Sequence, residues 1–234
     1  MTAAPPRAVL FDFSGTLFRF TEQPEWFAEL HDVHGNPIDL HLQAELIRRM
    51  TAPTGVPVDL GPEDRHAWEN RDLDPDLHRR AYLAVLRASG LSVPGHAESL
   101  YGRVIDPHSW TPYPDTIAAL RTVRDAGVPV GIVSNIAFDL RPVFALAGVD
   151  DLVDTLVLSY EVGLVKPDPG IFTLAFDRLG VPAQRGLMVG DSAIADGAAA
   201  GVGAAFAEVE PAPVADRPDA LLTALADHGF AASG

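Results

Sequence analysis

Residues 8–18 read AVLFDFSGTLF. The apolar run Ala8–Phe11 is short and ends in a carboxylate, Asp12. Gly15 and Thr16 follow at a tight turn. A short apolar run bounded by turn residues reads as a buried strand. A carboxylate at the end of such a strand, aimed by a Gly-Thr turn, is well placed to act as a nucleophile. Ser14 stands two residues after Asp12, where chemistry of this kind often needs a second carboxylate.

Further runs of the same type occur at Val128–Val133, Thr155–Leu158, Leu187–Val189 and Gly203–Val209. Between them, Asp115–Ala126 and Pro169–Leu179 carry apolar residues at helical spacing, with Gly127 and Gly180 as closing glycines. The segment Pro218–His228 reads as a last helix. Alternating strands and helices predict an α/β core with a Rossmann-like parallel sheet covered on both faces. Residues 20–110 break this rhythm. They show helical segments at Trp26–His31, Leu40–Met50, Asp64–Asn70, Asp76–Ala88 and Ala97–Val104, separated by breakers such as Pro53, Gly55, Pro57, Gly61 and Pro62. The expected domains are therefore an α/β core of residues 1–20 and 110–234, with residues 21–109 inserted as an α-helical module.

The chain has 234 residues, 47% of them hydrophobic, which is ample for such a core. Its formal net charge of -15 repels nucleic acid and anionic membrane, so neither is an expected partner. An anionic substrate must then be held by local positive groups. With no cysteine, disulfides, thiolate nucleophiles and cysteine metal sites are excluded. The N-terminus lacks the basic and long apolar regions of a secretory signal, and no stretch approaches the ~18 apolar residues of a membrane span. A cytoplasmic location is expected.

In an open parallel sheet, ligands bind beyond the carboxyl ends of the strands. Asp12 follows the first core strand. Ser134 and Asn135 follow the second, Lys166-Pro167 lies beyond the third, and Gly190, Asp191, Ser192 and Asp196 follow the fourth. Each has a plain reading alone: a strand-end Asp or Ser caps the next helix, and a lone Lys is a solvated charge. Together they gather three carboxylates, a hydroxyl and an ammonium on one sheet edge. Carboxylates there suit Mg²⁺, a hard cation, and Lys with Ser suits phosphate or carboxylate oxygens. A carboxylate nucleophile beside such a cation suits phosphoryl transfer through an aspartyl-phosphate.

In this order, FDFSGT, VSN, Lys166-Pro167 and VGDSAIAD resemble the four motifs of the haloacid dehalogenase (HAD) superfamily, and TPYPDTIAAL resembles that family's return from a helical cap. The resemblance covers nearly the whole chain. It implies that Asp12 is the nucleophile and a Mg²⁺ ligand. Ser14 would ligate the ion through its backbone carbonyl, with Asp191 as a further ligand. Asp196 would orient the ion's waters or Lys166. Ser134, the Asn135 amide and Gly15 would hold the transferring group. Lys166 would neutralise Asp12 and the anion, and Thr16 would brace the turn through a bond to backbone. The helical module would be a cap that closes over a small anionic substrate. Arg19 and Phe20, next to the hinge, would meet that substrate.

Phosphatases of this superfamily carry a second Asp where this chain has Ser14. A serine hydroxyl is too weak an acid and base for that role, and proton transfer of this kind is worth ~10²–10⁴-fold. Three readings follow. One is a Mg²⁺-dependent phosphatase whose proton donor lies elsewhere (His31, Asp32, His34, Glu25, His66 and Glu69 are candidates), or whose leaving group needs no proton. The second is a dehalogenase or other carbon-centred hydrolase, since halide leaves without a proton. The third is a non-catalytic ligand- or partner-binding homologue. The acidic fourth motif favours the first. No lysine lies between residues 20 and 110, which argues against imine chemistry on the cap. Both a monomer and a homodimer are compatible with the sequence.

Overall fold

The computed structural model describes residues 5–23, 25–32, 34–51, 59–91 and 93–230. The breakers Pro53, Gly55 and Pro57 lie outside them. The chain divides into two compact units, one of residues 1–19 and 110–234 and one of residues 20–109.

The first unit is built on a five-stranded parallel sheet. Its strands are β1 (Ala8–Phe11), β4 (Val130–Ser134), β5 (Thr155–Leu158), β6 (Gly186–Gly190) and β7 (Ala205–Glu208), in the order β5-β4-β1-β6-β7. Two short strands, β2 (Phe18–Phe20) and β3 (Trp110–Pro112), form a separate pair where the chain leaves this unit and returns to it. They lie at the margins of the stretch that the sequence reads as strand-free.

The period-two alternation of β1 explains its central place. Val9 and Phe11 enter a cluster with Val130, Ile132, Leu187 and Val189, covered by α6 (Thr116–Asp125), α7 (Arg141–Ala147) and α10 (Ala220–Asp227). Ala8 and Leu10 enter the opposite cluster with Val133, Val157 and Met188, covered by α9 (Pro169–Leu179). All four β1 side chains are fully buried, which is the pattern of a strand covered on both faces. The register sets Phe11 beside Ile132 on β4 and Val189 on β6, and the Asp12 amide donates to Val189 O at 2.9 Å. Asp12 thus leaves the middle of the sheet where its neighbours diverge, at the switch point of the strand order.

The sequence reading missed α7 and the short helix α8 (Ser159–Val162), both too brief to show a helical period. Asp115, expected to open α6, instead reaches α10, where its carboxylate accepts from the Leu221 and Leu222 amides at 2.7 and 3.2 Å.

The second unit contains α1 (Glu25–Ala28), α2 (Leu40–Thr51), α3 (Pro62–Glu69), α4 (Pro75–Ala88) and α5 (His96–Ile105). Its central helix, α4, contacts α2, α3 and α5. Asp74 caps α4 by accepting from the Asp76 and Leu77 amides, and Pro75 supplies a first-turn residue that needs no donor. Trp26, Phe27, Trp68 and Tyr82 are buried, so the aromatics pack this unit. Arg48 and Arg49 pair with Glu45, and Arg71 lies over Trp68 with its guanidinium carbon 4.5 Å from the ring centroid. His78 is buried against Tyr82 and Tyr101, and burial pushes its imidazole down to about 3. The helix expected to reach His31 stops at Ala28. The Asp32 carboxylate accepts from the His34 and Asn36 amides, a local turn that competes with helix.

No helix among the described residues is long and apolar enough to cross a membrane.

Gly186 opens β6 beneath the Phe176 ring. A Cβ there would lie 2.1 Å from Phe176 Cε1, and Phe176 is 1% exposed with no room to yield. Gly186→Ala is expected to lower unfolding stability by about 1–3 kcal/mol through overpacking. A urea titration measures it, and an unchanged midpoint would contradict this packing.

Candidate active site

Every strand-end residue singled out above lies in the first unit. Asp12, Lys166 and Asp196 are 6%, 6% and 1% exposed. Lys166 is the single lysine of the sequence. Its Nζ donates to Asp12 Oδ1 and to Asp196 Oδ1, each at 2.6 Å. The other Asp196 oxygen accepts from the Ser192 amide at 3.0 Å, so protein donors occupy both of its oxygens. Of the two tasks considered for Asp196, the contact observed is the one with Lys166.

Asp191 completes the acidic group. One ligand atom from each of Asp12, Asp191 and Asp196 lies within 4.8 Å of the others. Two glycines make room for this crowding. A Cβ on Gly190 would sit 2.3 Å from the Asp196 carboxyl carbon, and one on Gly15 would sit 2.4 Å from Asp191 Oδ2. Gly15 also has φ +81, a conformation that side chains rarely adopt.

The loop after Asp12 is tied down almost completely. Phe13 O accepts from the Leu17 and Phe18 amides, Leu17 O from the Tyr113 amide and the Thr116 hydroxyl, and Phe18 O from the Gly15 amide. Arg217 takes Gly15 O at 2.7 Å and also bonds Thr16 O. From Phe13 to Phe18, the Ser14 carbonyl alone has no donor among the described residues. The Thr16 hydroxyl, expected on backbone, instead lies 3.4 Å from Asp12 Oδ2. A side chain four residues on can reach back to the carboxylate because the turn folds directly beneath it.

Ser134 ends β4 and is 2% exposed. It caps no helix, because α7 starts only at Arg141. Its hydroxyl has no partner among the described residues and so is available to a ligand. The Asn135 side chain is already committed. Its Oδ1 accepts from the Lys166 amide at 2.7 Å and its Nδ2 donates to Lys166 O at 2.9 Å. This two-point clamp fixes the backbone from which Lys166 reaches Asp12. Arg19 donates to Pro211 O at 2.9 Å and Ala212 O at 3.3 Å, so these bonds direct it to the segment after β7. Phe20 belongs to the helical unit and packs on Trp26, with ring centroids 5.3 Å apart.

Burial pushes the Asp12 carboxyl up to about 7; Lys166 opposes the shift, and the charges of Asp196 and Asp191 add to it. Asp191 is pushed up to about 6, chiefly by burial and then by Asp196. Burial works against the Lys166 ammonium, yet the two carboxylates hold it above its ordinary range. When all three are ionised, Asp12, Asp191 and Asp196 carry two more negative charges than the Lys166 ammonium balances, a donor set that fits a divalent cation bound by oxygen.

A family model described as haloacid dehalogenase-like hydrolase matches residues 6–203, so the chain belongs to that family of hydrolases. A glyceraldehyde 3-phosphate phosphatase of Methanopyrus kandleri is 28% identical over 193 residues, covering 79% of this chain and 75% of that protein. An (S)-2-haloacid dehalogenase of Pseudomonas fluorescens is 37% identical over 84 residues, covering 36% of this chain. The chain spans under half the length of the first curated relatives it matches, 37% in that case. Among solved structures, the L-2-haloacid dehalogenase of Xanthobacter autotrophicus superposes with a TM-score of 0.64 at 22% identity, covering 93% of this chain and 83% of that one. This last likeness is one of fold.

A carboxyl that titrates higher in the folded chain than in the unfolded one costs stability once ionised. For Asp191 that cost is full above about pH 6 and absent below the ordinary carboxylate value of 3.8. Without divalent cations, Asp191→Asn is therefore expected to raise Tm at pH 7.5, by about 2–4 °C per kcal/mol relieved. The gain should fade as pH falls to about 4. Scanning calorimetry in EDTA tests this, and a lower Tm at pH 7.5 would contradict the electrostatics described.

Proposed function

We propose that this chain is a Mg²⁺-dependent phosphohydrolase of a small phosphorylated metabolite. In this reading Asp12 attacks phosphorus, the P–O bond to the leaving group breaks with its electron pair going to the departing oxygen, and an aspartyl-phosphate forms. Water then attacks that phosphorus, releasing inorganic phosphate and restoring Asp12. The observation that carries the reading is the convergence of Asp12, Asp191 and Asp196 within 4.8 Å of one another, with Lys166 bonded to two of them, and a Ser14 carbonyl that accepts no hydrogen bond among the described residues. Asp12, Asp191 and Ser14 O would hold Mg²⁺, and Asp196 would orient Lys166. Bound there, the ion supplies positive charge to the transferring oxygens.

This chain's own groups support the rest. Lys166 screens the anionic nucleophile from the anionic substrate, Ser134 offers a hydroxyl to a phosphoryl oxygen, and Asn135 holds Lys166 in place. The helical unit is proposed to act as the cap that selects the substrate and excludes water.

Ser14 favours a leaving group that departs as a stable anion, such as an acyl or enol phosphate. The same residue favours a second reading, displacement of halide from a 2-haloacid, since halide also leaves unprotonated. Two further acidic side chains beside the nucleophile, Asp191 and Asp196, weigh against it, because they would repel the haloacid's carboxylate unless a cation is present.

A panel of acyl phosphates, alkyl phosphates and 2-haloacids, each with Mg²⁺ or EDTA, tests the proposal. Mg²⁺-dependent phosphate release, fastest from acyl phosphates, is expected. Metal-independent halide release would replace it with the second reading. No turnover together with no Mg²⁺ binding would leave a binding protein. Ser14→Asp supplies the missing acid/base and is expected to raise turnover of alkyl phosphates by up to ~10²-fold. An unchanged or lower rate would place the proton donor elsewhere in the chain.

A further inference from the structure

Arg217 lies far along the sequence from Asp12, in an ordinary-looking stretch, VADRPDA. Yet it is 4% exposed and reaches the nucleophile loop. Its Nη1 donates to Gly15 O at 2.7 Å and to Glu210 O at 3.3 Å, and its Nη2 donates to Thr16 O. Its guanidinium carbon lies 3.3 Å from the centroid of the Tyr113 ring. Among the described residues it makes no ion pair, and its Nε is buried without a hydrogen-bond partner.

A buried guanidinium that faces Asp115 and Asp191 only at longer range, with no direct ion pair, is a poor way to gain stability. What it does provide is geometry. Its rigid fork spans two successive carbonyls, which a flexible ammonium cannot do in one fixed orientation. The segment carrying Arg217 is also tied to Gly15 and to residues that neighbour the loop. Tyr113 Oη donates to Ala212 O at 2.9 Å, Arg19 donates to Pro211 O, and Pro211 Cβ sits 3.2 Å from where a Gly15 Cβ would be.

We propose that Arg217 is a positioning residue for the cation site. By occupying Gly15 O and Thr16 O, it leaves Ser14 O as the carbonyl that a divalent ion can use, and it holds Gly15 against Asp191. The inference rests on the cation-binding reading of Asp12, Ser14 and Asp191 given above. A purely electrostatic role would act in the opposite direction, since removing a nearby positive charge strengthens cation binding.

Isothermal titration of Mg²⁺ into the substrate-free protein at pH 8 tests it, with Tm measured alongside. Arg217→Met is expected to weaken Mg²⁺ binding by about 10–100-fold, the usual effect of losing a partner that orients a ligand. Arg217→Lys should fall between Met and wild type, and it carries the test if the Met variant does not fold. Leu225→Ala, in the buried face of α10, should lower Tm while leaving Mg²⁺ affinity unchanged. Mg²⁺ binding that is equal or tighter in the folded Arg217 variants overturns the inference alone. An equal loss of affinity in Leu225→Ala also overturns it, by showing a general effect of instability. Wild type that binds no Mg²⁺ overturns the cation reading and this inference with it.

Discussion

The ammonium of Lys166, shared between Asp12 and Asp196 in a nearly dry setting, is the contact on which the rest of the site depends. Without it, three carboxylates within 4.8 Å of one another could not stay ionised together. With it, the rise in the nucleophile's carboxyl pKa is opposed and its side chain is aimed, and full ionisation of the three would leave two negative charges for a cation to balance. The scaffold serves this contact. Asp12 comes from the central strand, Asp196 is held by the Ser192 amide, and Lys166 is fixed through its own backbone by Asn135.

That arrangement explains why glycine recurs at the site. Gly15 and Gly190 stand where a Cβ would strike Asp191 and Asp196. Packing carboxylates this closely requires backbone to approach backbone without side chains between. The cost of burying these carboxylates, and then of crowding like charges, is visible in the raised Asp12 and Asp191 values, and a bound divalent ion would offset it.

Much of this was legible in the sequence because the chemistry sits at strand ends. Short apolar runs mark β1, β4, β5 and β6, and the segments that follow these runs fall on one sheet edge. So Asp12, Ser134, Lys166 and Asp191 could be assembled before their distances were known. Other features leave no local trace. Nothing in the sequence singles out Arg217, and only the fold brings it to Gly15 O and Thr16 O. Asp115 stands at the start of its own helical stretch, but its carboxylate serves α10. Asn135 is read for its amide, and the clamp that its side chain makes on Lys166 is the part the sequence does not show. Each of these depends on a partner distant in sequence, which neither periodicity nor spacing encodes.

The central claim is that Asp12 accepts a phosphoryl group. The most direct measurement is to mix the protein with acetyl phosphate and Mg²⁺, quench in acid, reduce with borohydride and map peptides by mass spectrometry. Borohydride converts an aspartyl-phosphate to homoserine. The account predicts homoserine at position 12, dependent on Mg²⁺ and absent from Asp12→Asn. Modification at another residue, or an Asp12 adduct formed only from a 2-haloacid in EDTA, would contradict it.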